Sequence, residues 1–268
     1  MKHQFGFIGC GNMGGALARA AAKSVGGDKI LLADKDENKM NALSSEISAA
    51  VGDVKDVAAN CEYIFLGVKP QVLAAAINEI KPTLISRRDR FVIVSMAAGI
   101  TTEKLTGWLG DLPIIRIMPN IPASVGEGMI LYCTAGGVTE GELDGFLDLM
   151  KCAGRLSPLP EKLIDAGSAV SGCGPAYAFM FIEALADGGV ECGLPRDKAT
   201  LLAAQTLIGS AQMVLETGRH PGELKDAVCS PAGSTIVGVH ALEKAGFRAA
   251  AADAVVESYK KTVDLGKN

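Results

Sequence analysis

Ser230-Pro231-Ala232-Gly233-Ser234-Thr235 contains the residue types needed to hold an anion without using charge. Pro231, Ala232 and Gly233 are small turn formers that let a ligand approach the backbone. Ser234 and Thr235 open the amphipathic stretch that follows, running to Glu243. The first turn of a helix presents amide N–H groups with no partner, and its dipole favours negative charge. Hydroxyl groups at that point add donors. No acid, base or metal ligand lies between Cys229 and Val239, so the chemistry open to this loop is carboxylate binding and hydrogen-bond donation. A capped helix start uses the same residue types, and on local grounds the two readings stand side by side.

A second constellation lies near the other end of the chain. Gly9-Cys10-Gly11-Asn12-Met13-Gly14 matches G-x-G-x-x-G, a common pattern in isolation. Here it follows an apolar run ending at Ile8 and opens a helix, and Asp34 stands at the end of the next apolar run. That is the context of the dinucleotide fingerprint. Gly9 permits the tight turn, Gly11 lets a pyrophosphate approach, and Gly14 lets helix and strand pack closely. Asp34 can accept from both ribose hydroxyls and repels a 2′-phosphate, which points to NAD. Lys35 and Lys39 follow closely and are able either to reach a phosphate or to lie solvated, so NADPH and NADH both remain open. Val68, Lys69 and Pro70 end one apolar run, Met96, Ala97 and Ala98 follow another, and Asn120 follows a third. Ligands of open parallel sheets lie beyond the carboxyl ends of the strands, so these residues are expected to line the cofactor. Asn120 fits a turn equally well.

The elements that must position these residues alternate in the first half. Continuous apolar runs predict strands over 5–8, 29–33, 63–68, 91–95, 113–118 and near 129–133, with helices over 16–23, 37–48, 71–80 and 139–152. This is the signature of a doubly wound, mostly parallel α/β sheet covered on both faces. Pro158 and Pro160 mark a boundary, giving a dinucleotide-binding domain over 1–157 and an all-helical domain over 158–268. In the second domain helices are expected over 161–169, 175–192, 195–216, 220–228, 234–244 and 247–265.

The 268 residues are 49% hydrophobic and 21% charged, the composition of a core-forming chain. A net charge of −4 and 5% aromatic content argue against a nucleic-acid partner. The seven cysteines are scattered, with no C-x-x-C pair, which fits reduced thiols better than a zinc or disulfide framework. No signal-peptide pattern and no long apolar run are read from the sequence, so no metal, no membrane association and a cytoplasmic location are expected.

The fingerprint, the Val-Lys-Pro and Met-Pro-Asn-Ile-Pro loops, Ser171-Gly172-Cys173-Gly174-Pro175-Ala176-Tyr177 and the Ser-Pro-Ala-Gly-Ser-Thr loop together resemble pyrroline-5-carboxylate reductase over essentially the whole chain. The resemblance implies a Rossmann domain followed by a helical dimerisation domain. It implies hydride transfer from NADPH or NADH to the C=N carbon of 1-pyrroline-5-carboxylate, giving L-proline. It also implies self-association as a homodimer or higher, such as a decamer of dimers. By matching position, the hydroxyl of Thr235 serves the ring nitrogen, Gly233, Ser234 and Thr235 hold the carboxylate, and Glu161 and Ser171 lie near the substrate. Three positions depart from the family pattern. Ala232 stands where Gly is usual and would be strained at positive φ. Asp34 stands where Ser, Thr or Asn suits NADP. Cys173 replaces Ser.

A cyclic imine can enter protonated, so its reduction needs a hydride donor and fixed hydrogen-bond donors more than a protein acid. His3, His220 and His240 are accordingly not required. A β-hydroxyacid dehydrogenase of similar layout would use a lysine of the helical half, and Lys162, Lys198 and Lys225 sit in no such motif. A non-catalytic nucleotide sensor would have no use for an intact Ser-Pro-Ala-Gly-Ser-Thr loop.

Overall fold

The structure is a computed structural model that describes residues 3–267. The chain divides into two compact units. One runs to Cys173 and takes in the chain from Ser258 onward; the other is Gly174–Glu257.

The first unit is built on one eight-stranded sheet. Its strands are β1 (His3–Ile8), β2 (Ile30–Ala33), β3 (Ala50–Val51), β4 (Cys61–Leu66), β5 (Val92–Ser95), β6 (Ile114–Met118), β7 (Gly128–Ala135) and β8 (Gly154–Pro158). The spatial order is β3-β2-β1-β4-β5-β6-β7-β8. Every neighbouring pair is parallel except β6 with β7. The helices of this unit are α1 (Asn12–Val25), α2 (Glu37–Ile47), α3 (Val54–Asn60), α4 (Pro70–Ser86), α5 (Thr102–Leu109), α6 (Glu140–Met150) and α7 (Glu161–Ser171).

Successive strand side chains point to opposite faces, so each apolar strand feeds two cores. Phe5, Phe7, Tyr63 and Phe65 face α1 and α6, where Leu17, Phe146 and Met150 meet them. The rings of Phe7 and Phe65, paired in register across β1 and β4, stack at 4.5 Å. Ile8, Ile64, Leu66 and Ile93 face the other way, against Leu73, Ile77 and Ile80 of α4 and Leu105 of α5. This is the doubly wound architecture that the apolar runs predict.

The differences from the sequence reading have local causes. The helix pattern of 71–80 continues to Ser86, through Pro82. An interior proline costs roughly 3 kcal/mol, and burying Leu84 beyond it recovers about 1.5–3 kcal/mol. α1 starts at Asn12, earlier than the sequence pattern indicates, because Gly14 and Gly15, poor helix formers inside its first turn, mask the helical signal there. α5 is announced only by its cap, the Thr101 hydroxyl accepting from the N–H of Lys104. β8 reads as a linker because it begins with Gly and ends with Pro, yet it pairs with β7 alone, where a proline at an edge is tolerated. The boundary at 157/158 falls at the end of β8, and α7 beyond it still packs on the sheet, with Ile164 buried against Met118 and Leu131.

The second unit is helical: α8 (Gly174–Glu191), α9 (Arg196–Thr217), α10 (Pro221–Val228), α11 (Ser234–Lys244) and α12 (Phe247–Lys267), the last leaving the unit at Ser258. Its buried centre is small, formed by Ala186, Ala199 and Ala203 where α8 meets α9. Phe181 and Phe247 pack at 5.3 Å, while Met180, Leu201, Leu215 and Val237 are exposed. One stretch among the described residues, Glu161–Glu191, is long and apolar enough by length and composition to cross a membrane, contrary to the expectation that no such run exists. Only 11% of its apolar window is buried within the chain.

Candidate active site

The loops after β1, β2 and β4 are tied to one another at the carboxyl edge of the sheet. The N–H of Gly9 donates to Ala33 O and that of Gly67 to Ile8 O, both at 2.8 Å. Gly9 has φ 105°, which only glycine adopts freely, and a Cβ there would lie 2.7 Å from the carbonyl carbon of Gly67. A Cβ on Gly14 would lie 2.0 Å from Gly9 O. Gly11 faces open space, with no atom within 4 Å of where its Cβ would be. No side chain caps α1, so the amides of its first turn, at Asn12, Met13 and Gly14, are free for a ligand. Ile8 is buried beneath this cradle, while Gly11 and Asn12 are exposed. The residues fit a pyrophosphate at a helix start.

Asp34 is half-buried at the end of β2. Its Oδ2 accepts the N–H of Cys10 at 2.5 Å and its Oδ1 accepts the N–H of Asp36 at 2.8 Å. Burial, with the charge of Asp34 adding to it, pushes the Cys10 thiol up to about 12, so Cys10 acts in this loop as a packed small side chain and not as a nucleophile. Lys35 is exposed. Lys39 pairs with Asp36 at 3.1 Å. Lys69 is the N-cap of α4 and Pro70 its first residue. Val68, Met96 and Ala98 are half-buried and Ala97 fully buried, next to the ends of β4 and β5.

Asn120 spans three elements. Its Oδ1 accepts the N–H of Met129 and its Nδ2 donates to Ser171 O, both at 2.8 Å. It is 7% exposed, and it holds the end of β6 to the start of β7 and to the last turn of α7. The Ser171 hydroxyl donates to Gly167 O, so Ser171 is engaged through both its side chain and its carbonyl.

Glu161 begins α7 and sits in a charged cluster that sequence reasoning missed. Arg116, only 1% exposed, donates from Nη1 to Glu161 Oε1 and from Nη2 to Asp165 Oδ1, each at 3.0 Å. Thr102 donates its N–H and its hydroxyl to the two oxygens of Glu161. Burial opposes the charge on Glu161, but the bonds from Thr102 and Arg116 hold its carboxyl below the ordinary range. The available signal was Arg116 itself, an arginine inside the otherwise apolar run Ile114-Ile115-Arg116-Ile117-Met118.

In the second unit, the N–H of Gly233 donates to Ser230 O at 3.0 Å, closing a turn around Pro231 and Ala232. Ala232 has φ 57°, so the strain expected at this position is present. Gly233 is the N-cap of α11, and no side chain caps the helix. Ser234 and Thr235 are therefore its first two residues and not its cap. The amides of Ser234, Thr235 and Ile236 are free, with Ser234 exposed and Thr235 half-buried. His220 caps α10, its Nδ1 accepting the N–H of Gly222 at 3.0 Å, and His240 lies exposed on α11.

A family model described as pyrroline-5-carboxylate reductase dimerisation matches residues 161–265, beginning where α7 begins. A model described as NADP oxidoreductase, coenzyme F420-dependent, matches residues 4–99, the segment holding the glycine fingerprint. The pyrroline-5-carboxylate reductase of Escherichia coli (strain K12) is 42% identical over 272 residues, covering 100% of both chains. That of Pisum sativum is 39% identical over 266 residues, covering 98% of this chain and 96% of the relative. Among solved structures, Plasmodium falciparum pyrroline carboxylate reductase with NADP bound has a TM-score of 0.88 at 32% identity and covers 99% of both chains.

Proposed function

The chain belongs to the pyrroline-5-carboxylate reductase family and reduces the C=N bond of 1-pyrroline-5-carboxylate to L-proline with NADPH or NADH; from that premise we propose which residues do the work. The nicotinamide supplies the hydride when bound. The loop Ile8 to Gly14 holds the pyrophosphate on the free amides of α1, and Asp34 holds the adenosine ribose. Val68, Lys69, Pro70, Met96, Ala97 and Ala98 line the remaining length of the cofactor from the ends of β4 and β5. Gly233, Ser234 and Thr235 hold the substrate carboxylate on the amides at the start of α11. The hydroxyl of Thr235 fixes the ring nitrogen, which enters already protonated, so catalysis rests on positioning.

Three residues act at one remove. Glu161 is a positioning residue: it fastens the start of α5, just beyond the Met96–Ala98 loop, to Arg116. Asn120 and Ser171 together fix the turn at Gly172 and Cys173. The observation that carries this reading is the uncapped start of α11, where free amides and two hydroxyl groups coincide in a first turn that holds no acid. Following NADH and NADPH oxidation separately with pyrroline-5-carboxylate tests it. Proline must accumulate in step with the cofactor consumed, and consumption of neither cofactor contradicts it.

The helical unit self-associates, and its small buried centre and exposed apolar side chains support a homodimer as the minimal assembly, with dimers able to combine further. The same association accounts for the apolar stretch 161–191 without a membrane. All seven cysteines are free thiols, which supports a reducing compartment, the cytoplasm.

A further inference from the structure

We propose that Asp34 makes this enzyme discriminate in favour of NADH and against NADPH. The inference rests on the reductase reading for its cofactor class, and it concerns only the adenosine end of the cofactor. Asp34 is held from both sides: Cys10 N–H fixes Oδ2 and Asp36 N–H fixes Oδ1. The carboxylate is thereby tied to the same loop that grips the pyrophosphate, and it cannot swing aside without breaking both bonds. An ionised carboxylate only accepts, and each oxygen keeps a lone pair after its amide bond. It suits the donor hydroxyls of an unmodified ribose. It opposes a 2′-phosphate, which brings negative charge and no donor.

The segment that joins β2 to α2 offers little compensation of its own. A 2′-phosphate in a tolerant site is met by an arginine or by a free helix start. The segment Ala33-Asp34-Lys35-Asp36-Glu37-Asn38-Lys39 contains no arginine. The start of α2 is already capped by a carboxylate, Asp36 Oδ1 accepting the N–H of Lys39. Lys39, one of the two cations in reach by sequence, is paired with Asp36. Glu37 adds a third acid to this short stretch, and Lys35, exposed to solvent, makes no ion pair with any of the described residues.

The test is a direct binding titration of the full-length protein with NADH and with NADPH, followed by cofactor fluorescence with no imine present. The expected result is that NADH binds tighter by at least about tenfold. Asp34→Ser should shift the ratio of dissociation constants toward NADPH by about tenfold or more. Asp34→Asn retains an acceptor for the Cys10 N–H without the charge, and should shift the ratio in the same direction, separating charge from collapse of the loop. Equal or tighter binding of NADPH by the unaltered protein overturns the proposal, as does an unchanged ratio in both variants. Loss of NADPH binding on Lys35→Ala, in a protein that prefers NADPH, assigns the site to Lys35 and overturns it as well. Failure of the reductase reading looks different: NADH binds with the expected preference, but is not oxidised in the presence of pyrroline-5-carboxylate.

Discussion

Thr102 donates twice to Glu161, from its backbone N–H at 2.6 Å and from its hydroxyl at 2.5 Å. Arg116 takes one of the same oxygens from within the sheet. The acid at the start of α7 therefore belongs to a knot around the buried guanidinium of Arg116 that joins α5, β6 and α7. Removing one partner of such a knot leaves the others desolvated and under-paired. Glu161→Ala is expected to lower the unfolding free energy by about 3 kcal/mol, at the lower end for a broken buried pair because Asp165 still serves Arg116. Urea denaturation measures this. A rise in KM with unchanged stability would instead make Glu161 a direct substrate ligand.

Ala232 carries a left-handed backbone in the turn before α11. That conformation costs an L-residue about 1–2 kcal/mol, while glycine costs about 0.4–1 kcal/mol through the unfolded chain. Ala232→Gly is therefore expected to leave stability unchanged or raise it by up to about 1.6 kcal/mol. Thermal unfolding checks it, and a loss of about 1 kcal/mol, as for an alanine in a helix interior, contradicts it.

Gly14 meets the backbone of Gly9 so closely that no side chain fits. Gly14→Ala should open the loop after β1 and weaken binding of either cofactor by more than about tenfold, with the helical circular dichroism signal retained. Fluorescence titration with NADH and NADPH measures it; undiminished binding would remove the pyrophosphate from this cradle.

Glu142 accepts from both Nε and Nη2 of Arg90, and those bonds push its carboxyl down to about 2. A depressed folded-state value stabilises the protein fully above the ordinary carboxylate range and loses that contribution as pH falls from about 4.5 through about 2. Glu142→Gln should therefore destabilise at neutral pH and differ less from the unaltered protein near pH 3, as read by urea midpoints at the two values. An equal difference at both would exclude this pair as a source of acid sensitivity.

What could be read in advance was what is local. The glycine spacing, the acid at Asp34, the donors at Ser234 and Thr235 and the strain at Ala232 each depend on a few consecutive residues; in the structure Gly9 has positive φ, Gly14 has no room for a Cβ, and Ala232 has φ 57°. The Arg116 knot was not legible, because its partners stand 45 and 49 positions away and no spacing rule joins a strand residue to a distant helix start. The amide bonds that freeze Asp34 were hidden for the same reason, since β1 and β2 become neighbours only in the sheet. Asn120 was read as facing the cofactor or as a turn, and its two bonds to Met129 and Ser171 show it joining elements that only the fold brings together.

In the proposed mechanism the free start of α11 holds the imine acid and the hydroxyl of Thr235 fixes its nitrogen. Steady-state turnover of Thr235→Ala with pyrroline-5-carboxylate, at saturating cofactor, tests it most directly. A fall of about 10- to 100-fold is expected, the worth of one charge-assisted hydrogen bond made in the transition state. Turnover equal to that of the unaltered protein would contradict it.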